Sequence, residues 1–395
     1  MGDGSQLTLD LGDAQEPFPR IPKDGVNGDR VKQARELRAW TLDDLASRVG
    51  VKASAISQIE SGLTQPTPAH LQAIALQTGF PPAFFRQPTV VDFPLGSLLF
   101  RSRSTGATKQ RSTAHAFGRI VYELAELLLI PRMTNILISI PRLREDPQIA
   151  AQITRSALGL SPDTPIGNLT LTLERHGVLA LALPMSLPGV DAFSLWASSE
   201  VERPVTVLMG DAPGDRLRFS IAHELGHLVL HRTLIRTTPV TKTAEEEANR
   251  FAAEFLLPTA RVQEELVAPV RLEHLARLKQ RWGVSIQALI ERTYSLDVIS
   301  DRQRSYLYSQ MATRGWRTRE PHEIPIEKPR ALRKMVEKVY GVEQQGHITI
   351  DYERLAADMR VTVPLAKQIV NAHAERSELM NTARNPSTLR LIKAE

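Results

Sequence analysis

The chain has 395 residues, 42% hydrophobic and 24% charged, with a formal net charge of +5 and no cysteine. That length and apolar content suffice for two or three packed domains, and the mild cationic excess is compatible with nucleic acid without being diagnostic of it. Disulfides, thiol catalysis and cysteine-held zinc are excluded.

Residues 1–27, rich in Gly, Asp and Pro, read as a disordered tail with no apolar run that could serve as a signal peptide. Within it Gln6-Leu7-Thr8-Leu9-Asp10-Leu11 alternates apolar and polar side chains. This segment is similar to the short glutamine-leucine peptides by which bacterial proteins dock on the replication sliding clamp. The similarity implies Gln6 at a pocket rim and Leu9 and Leu11 in apolar pockets.

Residues 28–85 read as a bundle of short helices. Val31, Ala34 and Leu37 share one face of a helix over 29–39. Thr41 is placed to cap a helix over 42–49, which Gly50 ends by admitting a left-handed residue. A third helix follows through 54–60, stopped at Ser61-Gly62, and a fourth runs from about 69 to 77 before Gly79. Two short helices joined by a glycine turn form a helix-turn-helix, and the stretch resembles the Cro/repressor-type (XRE) family. In such units the second helix enters the major groove of double-stranded DNA, so Lys52, Ser54, Ser57 and Gln58 are the expected contacts. Gln58 can bond an adenine edge twice, and Lys52 can reach a phosphate or a guanine. Leu42 and Ala53 stand where the family often carries polar side chains, which reduces the expected base contacts.

Residues 86–149 read as a connector containing a helix over 114–130. The basic run 100–111 before it reads as a solvated loop by default, with contact to phosphates the alternative. No window reaches the ~18 uninterrupted apolar residues of a membrane span, and 121–140, the nearest, contains two glutamates, Pro131 and Arg132. A cytoplasmic location is expected. Beyond residue 150 the pattern predicts two helices, the second around 170–176, then strand-like runs at 178–183, 192–197 and 204–209. The last of these precedes the chain's central motif, where a strand can pair with an extended substrate.

That motif is His223-Glu224-Leu225-Gly226-His227, inside a segment with helical character. One turn apart on one face, His223 and His227 can reach a single ion, and Glu224 beside them can take a proton from water. Two neutral imidazoles and one carboxylate suit Zn2+ with one position left open. The carboxylate is sought on a second helix, 243–258, where Ala248, Phe251, Ala252 and Phe255 form an apolar stripe. On that wheel Glu245 falls to the buried side and is the expected third ligand. Glu246 is expected in a capping box with Thr243 and in a pair with Arg250, and Glu247 in solvent. Asn249 and His231 are expected to support the ligands from behind. His70, His115, His274, His322 and His373 lack ligand spacing and read as surface or cap residues.

The block 218–228, together with Glu245-x-x-Ala248-Asn249-x-Phe251-Ala252-Ala253, resembles the ImmA/IrrE-type metallopeptidases, with weaker matches at 191–196 and 281–285. The resemblance spans roughly 150–320. It implies zinc on His223, His227 and Glu245, Glu224 as general base, and a repressor-like regulatory protein as substrate. Residues 321–395 read as a helical C-terminal region, with a basic helix over 331–340 and a helical pair over 350–378 broken near Pro364; an uncommitted helical cap is the expectation, with a second DNA-contacting or dimerising element the alternative.

The expected fold class is α+β, mostly α, comprising an N-terminal helix-turn-helix domain, a minimal zincin-like metallopeptidase domain and the C-terminal helices. Two function classes follow. One is a DNA-binding regulator, dimeric on DNA, that carries a zinc endopeptidase. The other is a transcription regulator whose peptidase-like domain senses a metal or ligand without proteolysis.

Overall fold

The computed structural model describes residues 25–89, 93–94, 105–129, 140–197, 202–210, 212–232, 241–344 and 347–374. The clamp-like residues Gln6, Leu9 and Leu11 lie outside them. Contacts divide the chain into two units, Met1–Arg35 with Trp40–Val90, and Glu36–Ala39 with Val91–Glu395. The fold is α+β and mostly α. No described helix is long and apolar enough to cross a membrane.

The first unit contains α1 (Gly28–Leu37), α2 (Leu42–Val49), α3 (Ala53–Glu60) and α4 (Pro68–Thr78), closed by a short 3-10 turn at Phe84–Arg86. Thr41 and Asp44 form a reciprocal capping box at the start of α2. Gly50 ends that helix at φ +79, the left-handed region that costs glycine nothing. Leu45, Ala46, Ile56 and Ile59 bury the inner face of the α2–α3 pair. Arg35 clamps Glu60 with two charge-assisted hydrogen bonds of 2.6 and 2.8 Å, which fixes the end of α3.

The second unit begins with α5 (Thr105–Leu128), followed by α6 (Pro147–Ala157) and α7 (Leu169–Arg175). Helix α5 starts nine residues before the expected position and takes in part of the basic run. Apolar spacing marks only the packed part of a helix, so the polar first turns were invisible to it. A three-stranded sheet follows, made of β1 (Leu179–Ala182), β2 (Ala192–Ala197) and β3 (Arg203–Leu208) in the order β1-β3-β2. Strand β3 runs parallel to β1 and antiparallel to β2. Both of its edges are therefore taken, and the expectation that this strand pairs with substrate is not met.

Next come α8 (Gly214–Leu230), α9 (Lys242–Leu256), α10 (Thr259–Glu265), α11 (Leu272–Trp282), α12 (Ile286–Ser295) and α13 (Asp301–Thr313). Helices α8 and α9 lie side by side in the core, with Leu225, Leu228, Phe251, Ala252 and Phe255 fully buried. A Cβ on Gly226 would stand 3.1 Å from the Phe251 ring and 3.3 Å from Ala248 Cα. Glycine inside the motif is thus what lets the two helices approach.

Two motif-block residues serve this scaffold. Arg218 pairs with Glu327 and donates to the Ile166 and Gly167 carbonyls, while Gly283, at φ +67, lies where a Cβ would meet the Arg218 guanidinium at 2.9 Å.

The C-terminal elements are α14 (Ala331–Tyr340), a hairpin of β4 (Gly341–Gln344) and β5 (His347–Ile350), then α15 (Tyr352–Met359) and α16 (Val363–Ala372). The hairpin was not expected. The break in the helical pair falls near Pro364 as expected, at Arg360–Thr362, and Pro364 itself sits in the first turn of α16, where a missing N–H costs nothing. His373 is the C-cap residue of α16 but is buried rather than at the surface, and its Nε2 accepts from the Ala182 N–H of β1 at 2.9 Å.

Candidate metal centre

Helix α8 presents His223 and His227 one turn apart, and α9 brings Glu245 to them. The two Nε2 atoms are 3.0 Å apart, with His223 Nε2 3.4 Å from Glu245 Oε2 and His227 Nε2 3.3 Å from Glu245 Oε1. These residues form the potential metal-holding cluster among the described residues.

Each imidazole uses its other nitrogen elsewhere. His223 Nδ1 is 2.9 Å from Asn249 Oδ1, an acceptor, so the proton of a neutral His223 sits on Nδ1. His231 Nε2 lies 2.8 Å from Glu247 Oε2, which places its proton on Nε2 and leaves Nδ1 to accept from His227 Nδ1 at 3.0 Å. Both Nε2 atoms then carry lone pairs aimed at each other and at a carboxylate, with no proton among them. Glu245 Oε1 is a buried atom without a hydrogen-bond partner.

Such a convergence of acceptors is repulsive unless a cation sits between them. Ligand atoms ~2.0–2.1 Å from a tetrahedral ion stand roughly 3.3 Å apart, close to the spacing found. Glu245 is ionised at neutral pH, as a carboxylate ordinarily is, so it adds a negative charge to the two imidazole lone pairs. The donor set fits a zinc ion.

The surroundings are dry on the α8 side. His223 is 4% exposed and both Glu224 and His227 are 0%. Glu245 is about a third exposed and forms the open side. Burial pushes the His231 imidazole down, only partly offset by its hydrogen bond to Glu247, so His231 is neutral at pH 7. Ser194 Oγ, on β2, donates to Glu224 Oε2 at 2.7 Å and holds that carboxylate in place.

Several details of the second helix differ from expectation. Thr241, not Thr243, caps α9, accepting from Ala244 N at 3.3 Å, and the helix begins at Lys242. Two threonines two residues apart give one sequence no means of choosing between them. Glu246 faces Lys242 at 3.5 Å, while Arg250 pairs with Asp146 at 3.4 Å. Glu247, expected in solvent, closes the chain Glu247–His231–His227. Ser194 lay in a recognised block without an assigned role; its contact with α8 is created by sheet register and left no trace in residue spacing. Glu254 is not in the cluster. Burial pushes its pKa up, but hydrogen bonds from Thr259 and Gln152 and the charge of Arg292 outweigh this and keep it ionised.

In the first unit Lys52, Ser54, Ser57 and Gln58 are all exposed, at the start and along the outer side of α3. The molecule thus joins a helix-turn-helix unit to a domain built around His-Glu-x-x-His. Residues 31–85 match the family model described as Helix-turn-helix, and residues 173–294 match the M78 peptidase family model, described as IrrE N-terminal-like domain. The chain is a fusion of a Cro/repressor-type (XRE) helix-turn-helix with an ImmA/IrrE-type peptidase-family domain. No curated protein matches the chain.

Proposed function

We propose that this chain is a DNA-binding transcriptional regulator of the cytoplasm that carries a zinc-dependent endopeptidase, with a repressor-like regulatory protein as substrate. The observation that carries the reading is the proton-free convergence of His223, His227 and Glu245 beside a buried glutamate. Zinc held by these three residues would supply Lewis acidity, polarising the scissile carbonyl and acidifying the attacking water. Glu224 takes the water's proton on its carboxylate and passes it to the leaving amine. Ser194 fixes the rotation of that carboxylate. Asn249 and His231 lock both imidazoles in the tautomer that offers Nε2 outward, and Glu247 completes the support of His231.

Lys52, Ser54, Ser57 and Gln58 of α3 read the duplex, and two copies of the chain address a two-fold operator. The presence of a helix-turn-helix unit and a peptidase-family domain in one chain supports a link between cleavage and transcription.

The test is metal analysis beside a cleavage assay on a purified repressor of the same helix-turn-helix type. Glu224→Gln should keep the metal and lower cleavage by ~10²–10⁴-fold. Glu245→Ala should lose the metal. Normal metal content in Glu245→Ala, with loss in Glu247→Ala or Glu254→Ala, overturns the ligand set. Zinc binding with no cleavage by the wild type moves the reading to a metal sensor.

A further inference from the structure

The C-terminal pair α15–α16 repeats the α2–α3 pair at a constant offset of 310 residues. Leu355, Ala356, Val361, Gln368 and Ile369 stand where Leu45, Ala46, Val51, Gln58 and Ile59 stand. The geometry repeats as well. Helices α2 and α15 are each eight residues long, and each ends on a left-handed residue, Gly50 at φ +79 and Arg360 at φ +54. The next residue's N–H closes the same turn in both, Val51 to Ala46 O at 3.0 Å and Val361 to Ala356 O at 2.9 Å. Two residues on, the second helix begins, Ala53 in one pair and Val363 in the other.

Burial follows the same register. Leu355, Ala356, Ala366 and Ile369 are buried like Leu45, Ala46, Ile56 and Ile59. Pro364, Lys367 and Gln368 are exposed like Ser54, Ser57 and Gln58. A helix, left-handed residue and second helix do not by themselves leave that outer side open. In α11–Gly283–α12 the position matching Ser57 is Ile290, which is 0% exposed, and the one matching Gln58 is Glu291, which is bonded to Arg304 and Tyr308.

We infer that α15–α16 is a second helix-turn-helix that binds double-stranded DNA through Lys367 and Gln368 of α16. The helix-turn-helix match stops at residue 85 and does not reach it. Gln368 occupies the register of Gln58, where a side-chain amide can bond an adenine edge in two places. Lys367 replaces Ser57 with a cation, and the exposed Arg354 and Arg360 on and just after α15 add two more that can meet phosphates. Glu353 and Asp358 are exposed on the same helix, and Asp358 is held by the Tyr340 hydroxyl at 2.9 Å. One chain would then carry two duplex-reading units on either side of the peptidase-family domain and could hold two DNA segments or two stretches of one.

The inference rests on the DNA-binding reading of the first unit, and the experiment separates the two. Full-length chain is titrated at low salt against a labelled mixed-sequence duplex about three helical turns long. Lys52→Glu with Gln58→Ala disables the first unit; residual binding should remain, and adding Lys367→Glu with Gln368→Ala should abolish it. In the otherwise wild-type chain the second pair alone should weaken binding about tenfold and reduce the salt slope by about one. Complete loss of binding in the first-unit variant sinks the second site and leaves the first standing. No binding by the wild type sinks both.

All four substituted side chains are exposed, so unchanged melting temperatures should confirm folding. A second measurement uses the absence of cysteine. Gln368→Cys carrying a photo-crosslinker should form an adduct with the duplex, as Gln58→Cys should. An adduct from Gln58→Cys with none from Gln368→Cys, or one from Gln368→Cys to protein alone, overturns the inference.

Discussion

In the helix-turn-helix unit Lys52, Ser54, Ser57 and Gln58 all face solvent, whereas at the candidate metal centre His223, Glu224 and His227 are no more than 4% exposed. The exposed group comes from one helix and its cap, and its members make few side-chain contacts within the protein. The buried group gathers α8, α9 and β2, and every imidazole has a named partner behind it. A surface that reads a duplex must keep its donors and acceptors available for the partner. A metal site must set tautomer, charge and spacing before the ion arrives, because buried polar groups are costly when left unmatched. Substitutions in the first region should therefore change recognition and leave the fold, while those in the second should change both.

Acid gives the largest predicted separation between the two units. His373 is wholly buried, and that burial lowers its pKa to about 4. The unfolded chain binds this proton near the ordinary histidine value of ~6.5, so between there and pH 4 the unfolded state holds more protons. Stability contributed by neutral His373 is fully present above pH 6.5 and falls by ~1.4 kcal/mol per pH unit below it, about 3 kcal/mol by pH 4. Hydrogen exchange at the Ala182 amide, which His373 accepts, should accelerate over this window. Amides of α2 and α4 should not follow, and equal acceleration in both units would remove the contrast.

Next in size is the support behind the ligands. Glu247→Ala leaves His231 without its acceptor and frees the His227 tautomer, so zinc affinity should fall by roughly 10–100-fold. Competition with a chelator measures it, and an unchanged affinity would make the Glu247–His231–His227 chain a packing feature only. On the DNA side, replacing Ser57 and Gln58 by Ala should reduce preference between duplexes by about tenfold, roughly 1–2 kcal/mol. Total affinity at low salt should change less, and the metal content not at all. The smallest effect is expected from Gly50→Ala. A Cβ there meets nothing within 4 Å, so the cost is the left-handed backbone alone, ~1 kcal/mol in a thermal melt. A loss well beyond that would mean the turn is less isolated than its surroundings indicate.

Much of the first unit was legible because its signals are local. Thr41, Gly50 and Gly79 punctuate helices at positions the structure reproduces to within a residue or two. At the metal centre the three converging groups were also legible, since helical period alone puts His223 over His227 and turns Glu245 toward the apolar stripe. The groups behind them were not. Glu247 reads as one of three consecutive acids until α8 and α9 are packed, and Ser194 reads as one residue of a strand until β2 is laid against α8. The order β1-β3-β2, which removes β3 as a substrate edge, has no expression in the spacing of its apolar residues.

The sequence by itself therefore determined the helices of the first unit with their caps and turns, the spacing that brings His223, His227 and Glu245 together and the exposed side of α3, all of which depend on residues within a few turns of one another. It also contained the Leu-Ala-to-Gln-Ile repeat of α15–α16, though only matched turn geometry and burial made those positions equivalent. Tertiary structure alone decided which nitrogen of each histidine points inward, which glutamate supports His231, and that Gly226 sets the distance between α8 and α9. Those outcomes are contacts between segments 16 to 30 residues apart, as in His231–Glu247 and Ser194–Glu224. Burial makes such contacts strong, and no local pattern records them.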